Sequence, residues 1–219
     1  MPLPVSRNPN NDDSLIGVFN EVMRDSLKIT DDMLPARVIH YDRASNLATV
    51  QPLIQMIDTE GNLHSRATNS NVPVLTLGAG NFFVSFHLPE GSLGWIKASD
   101  RDLSLFRQSF TERPPNTLRM HTFEDSLFIP DVMRGQSIAA EDAQAMVMQN
   151  TTGTVRISLT DERIKLTAPL IDINGPVTVS GDASFEGALN VQSGALTVNL
   201  ATHIHVTPAG PSDGPTPSV

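Results

Sequence analysis

Apolar residues first recur at helical spacing. In "DDSLIGVFNEVMRDSLKI", from Asp12 to about Ile29, the positions Ile16, Phe19, Met23 and Leu27 lie three and four apart, and Leu15 and Val22 widen the stripe. That spacing predicts a short amphipathic helix. Asp12, Asp13 or Ser14 can cap its first turn. The stripe needs cover, either from the chain's own domain or from another subunit. Ahead of it, residues 1–11 form a polar arm rich in Pro and Asn.

From about Pro35 to Phe110 the period becomes two. "ARVIHYDRASNLATVQPLIQMI" alternates around "DRASN", a hairpin-type turn signal. "NVPVLTL", "NFFVSFHL" and "SLGWIKAS" follow, separated by "GAGN" and "PEGS". Short strands in this number predict a small barrel of the oligonucleotide/oligosaccharide-binding (OB) type, or a related closed sheet. After "ERPPN", the stretch "RMHTFEDSLFIPDVM" reads as a strand or turn packed back on the barrel. "AAEDAQAMVMQN" reads as a helical turn or an ordered linker.

After Thr151 the chain becomes an array of very short strands: "GTVRISLT", "ERIKLTA", "LIDING", "PVTVSGD", "ASFEG", "ALNVQSG" and "ALTVNL". Val155, Ile157 and Leu159 alternate with Arg156, Ser158 and Thr160, and glycines at 175, 181, 187 and 194 punctuate the run. Each strand offers two or three small apolar side chains, too few for one chain to close a core. The repeats are also shorter than the roughly twenty residues that one coil of a single-chain β-helix needs. Three chains, each giving one strand per layer, satisfy both limits. The pattern therefore predicts an intertwined homotrimeric β-prism with its apolar faces on a shared axis. The segments are 1–33 (arm and helix), 34–112 (OB-like barrel), 113–150 (connector), 151–200 (shaft) and 201–219 (apex).

Composition narrows the function. Hydrophobic residues are 39% and aromatics 5%, lean for a single thick core. The net charge of −9 and the lack of a basic run argue against nucleic-acid binding, as do the single Trp95 and Tyr41. Cysteine is absent, so no disulfide framework or thiolate metal site exists. The N-terminus lacks a signal-peptide pattern and no apolar run reaches membrane-spanning length, so synthesis in a cytoplasm is expected.

The chain ends "ATHIHVTPAGPSDGPTPSV". On a strand, His203 and His205 point the same way. Turned to a three-fold axis, two imidazoles from each chain supply six nitrogens, which suit an octahedral metal such as Fe(II) or Ni better than tetrahedral Zn. Such a site is coordinatively full and locks the three chain ends together. Leu196, Val198 and Leu200 set the inward parity, so a bend near Ala201–Thr202 is needed to turn the histidines inward. His40, His64, His87 and His121 are scattered singly and read as ordinary structural or surface residues.

With these segments in order, the chain resembles the central spike proteins of contractile-tailed bacteriophages. "LPEGSLGWIKASDRDLSLF" and "RMHTFEDSLFIP" are similar to parts of their OB domain, the Gly-punctuated strands to their trimeric β-helix, and "THIHVTPAGPSDGP" to their apex. The resemblance implies a homotrimer with one iron ion per trimer, held by His203 and His205 of each chain. It further implies a virion protein of the tail tip that nucleates baseplate assembly on hub or tail tube proteins. On sheath contraction it would pierce the bacterial outer membrane by mechanical contact.

Two other readings compete. A β-helical polysaccharide-degrading enzyme needs paired carboxylates. Asp161, Glu162, Asp172, Asp182 and Glu186 are the candidates, each at a turn or on the polar face, so no catalysis is expected. A trimeric receptor-binding fibre tip usually ends in an aromatic-rich head, whereas this chain has no aromatic residue beyond Phe185.

Overall fold

The computed structural model describes residues 14–28, 30–58, 60–187, 189–193, 196–199, 206–207 and 210–211. The chain divides into two compact units, Met1–Pro169 and Leu170–Val219.

The first unit begins with helix α1 (Leu15–Lys28) and strands β1 (Met33–Asp42), β2 (Leu47–Pro52), β3 (Met56–Ile57) and β4 (Leu63–His64). Strands β5 (Asn69–Pro73), β6 (Leu77–Ala79), β7 (Phe82–Val84) and β8 (Leu93–Ser99) follow, then helix α2 (Ser104–Ser109) and β9 (Thr122–Pro130). A 3-10 turn at Ala140–Asp142 precedes β10 (Met146–Gln149), β11 (Arg156–Leu159) and β12 (Ile164–Thr167). The second unit contains β13 (Asn190–Ser193), β14 (Leu196–Asn199), β15 (Val206–Thr207) and β16 (Gly210–Pro211).

Ser14 is the helix cap: its Oγ accepts from the Gly17 N–H at 3.0 Å, leaving one fewer orphan donor in the first turn. The apolar stripe of α1 is not covered by the chain's own barrel, since Leu15, Ile16, Phe19, Val22 and Leu27 are all exposed.

Five strands run in the order β5-β2-β1-β8-β9. Every neighbouring pair is antiparallel. The two edges then meet: Val74 bridges Phe128 in parallel, and the Leu75 N–H donates to the Phe128 carbonyl at 2.8 Å. The sheet is thereby nearly closed and barrel-like, which leaves little open edge. "RMHTFEDSLFIPDVM" contributes β9, the strand that completes this closure. By contrast the Phe82–Val84 part of "NFFVSFHL" is not a strand of the barrel sheet; among the described residues β7 pairs with β6, in a separate hairpin, and only Leu88 at the end of the segment reaches the barrel core.

Strand alternation fills the interior. Ala36 and Val38 of β1, Ala48 and Val50 of β2, Val72 of β5, Ile96 and Ala98 of β8, and Phe123 and Phe128 of β9 form one buried cluster with Val74 and Leu88. Most of these are small, and Phe128 is the largest fully buried side chain. Room for its ring comes from Gly94, where a Cβ would stand 2.5 Å from the Phe128 Cζ and 2.4 Å from the Ile129 carbonyl. The expected "DRASN" turn joins β1 to β2. Its Asn46 donates to the Val74 carbonyl at 2.7 Å, and accepts from the Tyr41 hydroxyl at 3.0 Å.

Beyond the barrel, β10, β11 and β12 form an antiparallel sheet, and β13 pairs with β14 and β15 with β16. "LIDING", "PVTVSGD" and "ASFEG", expected as strands, form none within the chain. A strand needs a neighbour for its N–H and C=O groups, and among the described residues the chain offers these segments none.

Candidate functional site

The β10–β11–β12 sheet divides its residue types by face. Register places Met146, Leu159 and Ile164 in one row, and Met148, Ile157 and Leu166 in the next. Pairing alternates faces, so the interleaved rows, Gln149–Arg156–Thr167 and Val147–Ser158–Lys165, lie on the other side. It is the apolar side that is open: Met146 is 66% exposed, Ile164 71% and Leu166 51%.

The polar side is the covered one. The turn at Ala140–Asp142 lays two carboxylates over it, and Asp142 and Ser158 are each only 2% exposed. Arg156 Nε stands 2.6 Å from Asp142 Oδ2, and the same guanidinium pairs with Glu141. The Lys165 ammonium donates to Glu141 Oε1 at 2.7 Å. Burial works to raise the Asp142 carboxyl, but the Ser158 hydroxyl and the Arg156 guanidinium outweigh it and leave it below its ordinary value. The bond from Lys165, and then its charge, hold Glu141 down as well. The Arg156–Asp142 pair is covered and is stable only with both partners in place, so it pins residues 140–142 to the sheet.

A second polar network braces the α2 end of the barrel. Asp102 accepts from the Ser104 N–H at 2.8 Å and the Thr117 hydroxyl at 2.7 Å. The Ser104 and Thr117 side chains, with the Ser104 N–H, hold its carboxyl well below the usual carboxylate range. Asp125 accepts from the Leu103 N–H at 3.0 Å, and Arg119 Nη2 lies 3.3 Å from Asp102 and 3.1 Å from Asp125. Every partner here is a neighbour in the fold, so the network fixes the loop that carries α2.

His203 and His205 lie outside the described residues. Among the described residues no group of three or more His, Cys, Asp or Glu is placed to hold a metal. The shaft carboxylates Asp161, Glu162, Asp172, Asp182 and Glu186 are all exposed. His64 Nε2 donates to Asp58 Oδ2 at 2.8 Å at the base of the β3–β4 hairpin, a local turn brace. Two features were not foreseen. One is the carboxylate cover on the polar face, whose only signal was "ED" in Glu141–Asp142 ahead of the alternating Arg156 and Lys165. The other is the exposed aromatic hairpin β6–β7.

Among the described residues no helix is long and apolar enough to cross a membrane. Comparison of the chain with curated proteins gave no match. Residues 34–131, the barrel from the start of β1 to just past β9, match the family model described as Phage protein Gp138 N-terminal domain. The barrel is thus similar to a phage protein domain, and this similarity supports a phage structural protein.

Proposed function

We propose that this protein is the tail-tip spike of a contractile-tailed phage: a homotrimer that nucleates baseplate assembly and is driven through the host outer membrane when the sheath contracts. One observation carries the reading. The three-stranded sheet covers its charged face and leaves its apolar face open. A protein that folded as a monomer for life in water would do the reverse. Leu170, Ile171, Ile173, Val177, Val179 and Phe185 are likewise exposed. Brought to a three-fold axis, these residues form the core that no single chain can close.

The match of the barrel to a phage domain supports the setting. Under this reading the barrels form the base that meets hub or tail tube proteins, and the slender shaft leads to the point. His203 and His205 of three chains supply six imidazole nitrogens, a donor set that fits an octahedral iron ion. When bound, the metal supplies cross-linking rather than chemistry. The protein acts by shape and stiffness and is not an enzyme.

Native mass and elemental analysis of the purified full chain test this together. The expected result is a trimer with one iron per three chains, the iron being lost in a His203→Ala/His205→Ala variant. A monomer in native mass overturns the spike reading. A trimer without metal, even after iron is supplied during expression, overturns only the ligand assignment.

A further inference from the structure

The hairpin β6–β7 stands outside the five-stranded sheet as a two-stranded sheet of its own. Leu77 pairs with Val84 and Ala79 with Phe82, so these four share one face, while Phe83 lies opposite Gly78 on the other. Phe82 is 84% exposed and Phe83 70%, and Leu77 and Phe86 are also open. A surface hairpin normally turns one polar face to water. This one is apolar on both, the pattern of an element gripped from two sides. An isolated two-stranded hairpin is also only marginally stable in water.

The opposite end of the barrel carries a recess. An open groove of about 410 Å³ is lined by Phe106, Phe110, Pro114 and Pro115, together with two arginines, Arg101 and Arg113, and two acids, Asp102 and Glu112. Phe106 and Phe110 stand edge to face, with ring centroids 5.7 Å apart. Phe110 is the residue that ends α2, and it has φ 51°. That left-handed position normally takes Gly or Asn. A bulky aromatic held there is strained, and backbone strain of this kind clusters at functional surfaces.

One chain cannot bring the two together. The hairpin lies between β5 and β8, at the end where Val74 bridges Phe128 and Gly94 pairs with Pro130. Helix α2 follows Ser99, at the end where Ser99 pairs with Thr122. The length of β8, about 20 Å, separates them. A second copy is under no such constraint.

We propose that the β6–β7 hairpin of one protomer seats in the α2 groove of the next, with Phe82 and Phe83 packed against Phe106, Phe110 and the two prolines. Arg101 and Arg113 then lie where they can stack on the entering rings. The contact joins two different surfaces, and with a rotation of one third of a turn between copies it closes a ring of three. It rests on the trimer reading above, but it places a specific contact at the barrels, away from the shaft.

Because the chain contains no cysteine, introduced thiols report this contact without background. Asn81, at the hairpin tip, and Thr111, in the groove lining, are the sites. Full-length Asn81→Cys and Thr111→Cys chains, co-assembled and oxidised, should cross-link only to one another, and the double variant should give a covalent trimer. Phe110→Gly should fold as well as the wild type yet shift trimer dissociation to roughly tenfold higher protein concentration. A trimer by native mass that forms no Asn81–Thr111 cross-link overturns the contact alone. So does cross-linking of Asn81→Cys with itself, which would set hairpin against hairpin. A monomeric wild type overturns the trimer reading and this contact with it.

Discussion

The barrel and the three-stranded sheet are written with the same alternation and reach opposite outcomes. In β8, every second residue from Gly94 to Ala98 is buried. In β11 and β12, Ile157, Ile164 and Leu166 occupy equivalent alternating positions and face outward, while Ser158 is buried. Period two fixes which residues share a face, but not which face is covered. The barrel covers its own inner face by closing on itself. A sheet of three four-residue strands has no area with which to do so, and its one covered face is decided by Glu141 and Asp142.

The comparison is broken most directly inside the barrel. Phe128 is fully buried at the closing edge. Replacing a buried Phe by Ala typically costs about 3–5 kcal/mol, a large share of the stability of a small domain. Phe128→Ala is therefore expected to unfold the barrel cooperatively at much lower denaturant, as followed by Trp95 fluorescence. The Trp95 indole donates to Asp131 at 2.8 Å and reports on that edge. A midpoint close to wild type would mean that the barrel does not depend on this core.

The sheet predicts the reverse. Leu166 is 51% exposed, so Leu166→Lys should change the stability of a lone chain by no more than about 0.5 kcal/mol. If three apolar faces meet on an axis, the same substitution buries three ammonium groups together and the trimer is lost. The readout is native mass beside the thermal midpoint of the barrel: the expected result is monomer with an unchanged midpoint. A variant that still forms trimers would show that this face is not the assembly surface.

The two regions also differ in how much of them could be read from residues alone. The β1–β2 hairpin was legible because "DRASN" is short, local turn chemistry, and β8 because its alternation is clean. The role of β9 was only half legible, since "RMHTFEDSLFIPDVM" lies beyond a Pro-rich break and its partner β8 is far away in sequence. The β6–β7 hairpin misled, because its Phe and Val content suits a barrel strand as well as an exposed knob. In the segment 170–187 the alternation is real, but among the described residues the chain supplies it no strand partner; the partners the pattern calls for are other copies of the chain. Of the candidate site, the shared face of Ile157 and Leu159 was visible in the pattern. The cover on the opposite face was not, because ion pairing across 15 residues, from Glu141 to Arg156, leaves no period to detect.

That cover gives the smallest expected effect, and it sharpens the comparison because the barrel can serve as an internal reference. Glu141 and Asp142 face Arg156, Lys165 and the Ser158 hydroxyl, and both carboxyls are held below their ordinary values. A carboxyl lowered in the folded state adds stability that is fully present above its unfolded value, about 4. That stability is withdrawn as pH falls through the lowered folded value. The sheet should therefore hold its cover from neutral pH down to about 5 and loosen in stronger acid. Amide exchange of β10–β12, corrected for intrinsic rates and measured against β1–β2, is the readout. Protection of the sheet should fall in acid, and an Asp142→Asn variant should flatten that dependence. If Asp142→Asn leaves the acid response unchanged, the carboxylate cover is not what decides which face of this sheet remains open.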